Sequence, residues 1–262
     1  MTALLLGACI GAIMGLTGAG GGVLAVPALV FFVGLPLTDA APVALVSVAI
    51  AGGIGTVEGL KRKLVRYRAA AFMAIFGVAL APFGLQLARV SPERFLLAGF
   101  AVVLLVVAAR MLLGAKPDRG PADPNVACRI DPATGRLHWT PRVALTLGAI
   151  GSTAGFLTGL LGVGGGFMIV PALRRFTDIT MQGVVATSLA VTALVATGTV
   201  VTSALHGHPP QWSIAAPFAG GAVAGMVAGR LVVRRLEAAH LQRIFGVLAA
   251  VTAVAVAFRA FA

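Results

Sequence analysis

The sequence predicts an all-α polytopic membrane protein built from two inverted structural repeats, each opening on a Gly-rich broken segment followed by about three spans. Three observations lead there. Of 262 residues, 59% are hydrophobic and 11% charged, whereas a soluble domain carries about 25% charged residues. One motif occurs twice, GLTGAGGGVLAVPAL from Gly15 and GLLGVGGGFMIVPAL from Gly159, an offset of 144 residues. The basic residues, finally, are spread over the loops in a way that selects one topology.

Apolar segments run over about 2–17, 23–36, 40–57, 69–88, 95–113, 143–161, 167–173, 181–205, 213–233 and 241–258. A straight crossing takes roughly 20 residues. Most segments meet this, but those flanking each glycine cluster are short or interrupted. The first Lys or Arg is Lys61, so residues 2–17 lack the basic region of a cleavable signal and are expected to form the first membrane helix. Each half therefore opens with a broken hairpin or with two short crossings.

Charge placement separates these from a single kinked crossing. If the glycine-rich segments crossed once, the 20 Lys and Arg would divide 12 against 8 between the two sides. If each returns to the side it left, loops 58–68, 110–142, 174–180 and 230–243 share a side and hold 17 of the 20. Cytoplasmic loops collect Lys and Arg, so the second arrangement is preferred. It gives each half an odd number of net crossings, inverts one half relative to the other, and puts both termini outside. Residues 1–113 and 142–262 are then the two transmembrane repeats, and 114–141, a proline-containing polar stretch, is a cytoplasmic linker.

The repeat continues past the motif. Ser47-Val-Ala-Ile and Gly55-Thr56 resemble Ser188-Leu-Ala-Val and Gly198-Thr199. Tyr67 and Trp212 each precede a span, where an aromatic suits the membrane interface.

A glycine cluster interrupting a helix inside a bilayer persists only where protein or a water-filled cavity satisfies its backbone. Gly20, Gly21 and Gly22 allow positive φ, and the helix is expected to resume at about Val23. Its first N–H groups then lack partners and carry the positive end of the helix dipole, which attracts an anion without a buried Lys or Arg. Gly164, Gly165 and Gly166, before Phe167, repeat the arrangement. Inverted repeats place a substrate site near the midplane, where such segments meet. Gly11/Gly15 and Gly155/Gly159 have the small-xxx-small spacing and are assigned to helix packing.

Among the small hydroxyls within spans (Thr17, Ser47, Thr56, Thr158, Thr187, Ser188, Thr192 and Thr197), Ser47 and Ser188 stand out because they recur at matching places. They are expected to line the site as hydroxyl donors. The eight acidic residues fall in loops or at span ends, which argues against a buried proton relay. Glu58 reads as solvated beside Lys61 and Arg62, and His206 and His208 as surface residues. Gln86 lies within a span and is balanced between packing and function.

Several classes drop out. The net charge of +12 is accounted for by cytoplasmic loops, and no basic, aromatic-interleaved face exists for nucleic acid. GAGGGVLAV lacks the Lys-Ser/Thr of a phosphate loop and the third glycine of a dinucleotide fingerprint. Cys9 and Cys128 share no metal-like spacing, so no metal or other cofactor is expected. The spans offer no nucleophile, carboxylate pair or metal cluster, so the chain is expected not to be an enzyme.

At the doubled GxGGG…PAL motif the chain resembles the TauE/SafE family of sulfite exporters and related permeases, over essentially its whole length. The resemblance implies two similar halves, roughly eight spans and a polar central loop in the cytoplasmic membrane (the inner membrane of a two-membrane cell). It implies transport of sulfite, sulfonates or other sulfur-containing or organic acid anions, with Gly20 to Gly22, Pro27, Gly164 to Gly166 and Pro171 as the core of the pathway. The expectation is a secondary transporter of a small anion, working by alternating access in a lipid bilayer, with homo-oligomerisation open. An anion channel and a non-transporting membrane scaffold are the alternatives.

Overall fold

The computed structural model describes residues 1–17, 21–112, 139–177, 179–233 and 238–261, and every regular element among them is helical. The helices are α1 (Thr2–Thr17), α2 (Ala25–Ala28), α3 (Leu37–Lys61), α4 (Tyr67–Val90), α5 (Glu93–Leu112), α6 (Pro141–Leu161), α7 (Gly166–Phe176), α8 (Met181–Leu205), α9 (Trp212–Val233) and α10 (Ala238–Phe261). Helix is what apolar chain must form in hydrocarbon, because only there does each segment satisfy its own backbone. Helix starts are fixed locally: Thr140 Oγ1 accepts from the Val143 N–H with Pro141 next in sequence, and Thr180 Oγ1 accepts from the Gly183 N–H, both N-cap arrangements.

Among the described residues, α3, α4, α6, α8 and Trp212–Gly229 of α9 are long and apolar enough to cross a membrane. Large apolar side chains such as Phe83, Phe95, Leu145, Val254 and Phe258 stand exposed on the outer faces. In water such a surface is a liability; against lipid it is the ordinary exterior of a multi-pass protein.

The helices pack in matched pairs. α1 lies along α9, and α6 lies along α4; α3 packs on α8, and α5 on α10; α4 also touches α8, and α3 touches α9. Exchanging the first five helices with the last five, in order, turns α1–α9 into α6–α4 and α3–α9 into α8–α4, and leaves α3–α8 and α5–α10 as themselves. The duplication visible in the motif therefore governs the whole packing.

Glycines set the closest pairs. Gly7 and Gly11 of α1 abut Phe218 and Ala222 of α9, while Gly221, Gly225 and Gly229 abut Leu4, Ala8 and Ala12. Gly151, Gly155 and Gly159 of α6 meet Met73, Gly77 and Ala81 of α4. The rising numbers on both sides make each pair parallel. Gly11, Gly155 and Gly159 thus serve packing, as their spacing predicts, since a small residue lets two backbones approach. α3 and α8 run antiparallel instead: Gly52 touches Leu189 and Ala193, while Gly59 touches Ala186.

One end of the bundle gathers Val65, Ala69, Val143, Leu173, Ile179 and Val184 into a core. This is the end carrying the basic 58–68 and 174–180 loops. Glu58 and Arg62 pair there at 2.7 Å on an exposed turn, in agreement with the solvated reading of Glu58. At the other end Leu37, Asp39, Arg89, Leu96, Leu160, His208 and Gln211 border a cavity of about 570 Å³.

Candidate functional site

The two glycine-rich breaks differ in detail. In the second half α6 ends at Gly162 in the left-handed region (φ 71°), and Gly164 (φ 77°) and Gly165 (φ 63°) turn the chain before α7 starts at Gly166. A side chain on Gly165 would begin 2.9 Å from the Ala154 carbonyl and 3.0 Å from Thr158 Oγ1. The turn therefore folds back against α6, and α6–α7 is a hairpin whose tip lies inside the bundle. In the first half Gly21–Leu24 form a 3-10 turn, α2 follows, and Leu29–Val33 form a π turn. The helix expected from Val23 is thus a tighter turn beginning at Gly21, becoming α-helical at Ala25. Gly22 is not among the glycines with positive φ. Gly20 lies outside the described residues.

These breaks meet. A side chain on Gly22 would begin 3.3 Å from the Val163 carbonyl and 3.0 Å from Val48 Cγ2; one on Gly164 would begin 2.8 Å from Val48 Cγ1 and 3.0 Å from Thr192 Cγ2. Val48 therefore wedges between the two glycine clusters. Val48 and Thr192 are each the twelfth residue of a 25-residue helix, α3 and α8. At 1.5 Å per residue such a helix spans about 37 Å, so the meeting point lies halfway along the two most buried spans. Met14, Leu45, Ala51, Ala196 and Met226 pack around Val48.

The opening turn of α7 carries no side-chain cap, and Gly165 accepts only from the Met168 and Ile169 N–H groups, at 3.0 and 3.2 Å. The N–H groups of the first turn point out of the helix with its positive dipole end. Ser188 Oγ donates to the Gly166 carbonyl at 3.4 Å, so this predicted residue does reach the break. Ser47 Oγ donates to the Ala44 carbonyl of its own helix at 2.7 Å, and its proton is engaged there rather than at the break. Such back-bonding is the ordinary fate of Ser and Thr in membrane helices.

Pro27 and Pro171 sit inside α2 and α7, five residues past Gly22 and Gly166 and more than a turn from the meeting point. Their effect is on the backbone: Pro171, lacking an N–H, leaves the Phe167 carbonyl without an α-helical partner, whereas Pro27 sits in the first turn of α2, where its missing N–H removes no α-helical bond. Gln86 is exposed on α4. None of the described acidic residues lies at the break: Asp39 borders the end cavity, Glu58 pairs with Arg62, and Glu93 opens α5.

Two residues at the site escape the sequence-level choice. Val48 is apolar and carries no chemical signal, though it adjoins Ser47 in the repeated stretch. Thr192 belongs to the set of span hydroxyls, but at the motif's offset of 144 residues its counterpart in the first half is Val48 rather than a hydroxyl, so the repeat does not single it out.

Over nearly its whole length the chain is similar to known membrane proteins. The family model described as "Sulfite exporter TauE/SafE" matches residues 3–256. The chain is 27% identical over 260 residues to a protein of Xylella fastidiosa strain Temecula1 called "Probable membrane transporter protein", covering 98% of this chain and 94% of that one. It is 25% identical over 240 residues to "Probable membrane transporter protein YunE" of Bacillus subtilis strain 168, covering 88% of each. No solved structure matches. A duplicated, all-helical bundle with lipid-facing apolar surface and a family model spanning nearly the whole sequence together identify a multi-pass membrane transporter: the chain belongs to the sulfite exporter TauE/SafE family.

Proposed function

We propose that this transporter is a secondary carrier of a small anion in the cytoplasmic membrane, with sulfite, a sulfonate or a related sulfur-containing or organic acid anion as cargo. The observation that carries the reading is the contact of the two glycine-rich breaks at Gly22, Val48 and Val163, halfway along α3 and α8. An uncapped helix start in a low-dielectric interior, with no described carboxylate beside it, favours negative charge. Gly20 to Gly22, Gly164 to Gly166 and Ser188 form the binding region in this reading, with Pro27, Pro171 and Ser47 supporting its backbone. The family's printed name, which refers to sulfite export, adds weight to a sulfur oxyanion.

We further propose that residues 1–113 and 142–262 are inverted repeats joined by 114–141 as a cytoplasmic tether. The antiparallel run of α3 against α8, its counterpart under exchange of the halves, supports this. A two-fold axis relating antiparallel spans lies in the membrane plane, the symmetry that underlies alternating access by rocking one repeat on the other. The cavity bordered by Asp39, Arg89 and Gln211 would then be the outer vestibule, on the less basic side of the bundle.

A thermal-stability screen of detergent-purified protein against sulfite, sulfate, thiosulfate, methanesulfonate, acetate and chloride tests the cargo class. A bound anion at 100 times its dissociation constant is expected to add about 2.7 kcal/mol, a clear rise in the unfolding midpoint. A rise with sulfur oxyanions or carboxylates but not with chloride is the expected result. No rise with any of them contradicts the anion reading.

A further inference from the structure

We propose that Thr192 donates a hydrogen bond to the transported anion at the opening turn of α7, an assignment that rests on the small-anion reading above. The buried hydroxyls of α8 otherwise have partners. Ser188 donates to the Gly166 carbonyl at 3.4 Å, Thr199 to the Val195 carbonyl at 2.8 Å and Ser203 to the His208 carbonyl at 3.0 Å. Thr187 accepts from the Arg66 N–H at 3.1 Å. Other threonines follow the same habit: Thr197 and Thr202 of α8, and Thr56, Thr158 and Thr252 in other helices, each donate to the carbonyl four residues back, at 2.7 to 2.8 Å. Thr192 does not. It is 1% exposed, and its Oγ1 has no hydrogen-bond partner among the described residues.

A buried hydroxyl without a partner is costly in a membrane interior, and each such group in a folded protein calls for a reason. Its position supplies one. The Thr192 side chain faces the break, with its methyl carbon 3.0 Å from where a side chain on Gly164 would begin. It lies one helical turn beyond Ser188, so the two hydroxyls share the face of α8 that α7 packs against. The second observation is independent of the first. α7 is an eleven-residue helix whose start, at Gly165 and Gly166, has no side-chain cap; the Met168 N–H turns back to the Gly165 carbonyl, while those of Gly166 and Phe167 have no acceptor among the described residues.

An unspent hydroxyl donor and the uncapped N–H groups of Gly166 and Phe167 lie beside the same glycine turn, with no described Lys, Arg or carboxylate placed there. That donor set fits a solute that only accepts hydrogen bonds and carries negative charge, which describes an oxyanion: a sulfite, sulfonate or carboxylate group. A cation or a neutral donor would find the polarity reversed. Binding through neutral donors alone also keeps the site shallow enough for release, as turnover requires.

The test compares full-length wild type, Thr192→Val and Thr192→Ser in detergent. Two quantities are read: the unfolding midpoint without anion, and its titration with sulfite, methanesulfonate and acetate. Valine keeps the shape and removes the hydroxyl; serine keeps the hydroxyl. Because Thr192 Oγ1 has no hydrogen-bond partner among the described residues, T192V is expected to have an unchanged or higher midpoint without added anion. Its affinity for the anion that binds wild type is expected to fall about tenfold or more, the scale of a lost hydrogen bond to a charged group. T192S is expected to stay within about threefold of wild type. A T192V protein that binds as tightly as wild type removes Thr192 from the site and leaves the small-anion reading standing. A T192V protein with a lowered anion-free midpoint, whose binding loss T192S does not restore, makes the residue structural and overturns the assignment. A wild type that binds none of the three anions overturns both readings together.

Discussion

Gly165→Val is expected to abolish transport and to cost about 3 kcal/mol of stability. Two effects add. Gly165 has φ +63°, a left-handed conformation that costs an L-residue roughly 1–2 kcal/mol and a β-branched one more. A side chain would also begin 2.9 Å from the Ala154 carbonyl and 3.0 Å from Ala154 Cβ, and overpacking of this kind costs about 1–3 kcal/mol. Relieving the clash means moving the start of α7 away from α6, which displaces the N–H groups at the break. Gly34→Val separates the two effects, because Gly34 shares the positive φ (77°) but has open space around it. Thermal unfolding of the two variants is expected to show the larger loss at Gly165, and only that variant is expected to lose flux. Equal losses would mean that strain alone matters and that the hairpin tip has room to move.

Gly155→Leu is expected to prevent folding. Gly155 and Gly77 face each other across the α4–α6 contact, each lying against the other's backbone. The colliding atoms are main chain, which cannot change rotamer, so the helices must separate. The expected cost is about 3 kcal/mol or more, a large part of the 5–15 kcal/mol that holds a typical protein folded. Loss of monodisperse protein after detergent extraction is the readout. A Leu variant that purifies and unfolds like wild type would contradict the parallel α4–α6 packing.

Much of this was legible in the residues alone. The spans follow from apolar length, and the duplication from the two copies of GxGGG…PAL; both are local properties of the chain. The helix pairing of Gly11, Gly155 and Gly159 was legible too, because a spacing of four puts small residues on one helix face. The finer geometry was not. The 3-10 turn at Gly21–Leu24 and the hairpin at Gly162–Gly165 arise from nearly the same letters in different surroundings. Whether a hydroxyl turns onto its own helix, as Ser47 does, or stays unspent, as Thr192 does, is a rotamer choice made by neighbouring helices. Val48 becomes a site residue only through the crossing of α3 and α8, which no periodicity records. Gly20 and most of the 114–141 linker lie outside the described residues, so their expected roles stand as proposals.

The most direct test of the account is counterflow in proteoliposomes. Vesicles loaded with a millimolar amount of the anion identified by the stability screen are diluted into a trace of the same anion carrying an isotopic label. A carrier whose site is reached alternately from each side exchanges inside for outside solute, so the account predicts transient accumulation of label above the equilibrium level. That accumulation is expected to vanish in Gly165→Val and to fall in Thr192→Val. Entry of label without overshoot, at rates indifferent to internal anion, would contradict alternating access and indicate a channel. No entry beyond protein-free vesicles, for an anion that binds, would contradict the central claim that the meeting point of the two breaks is a transport site.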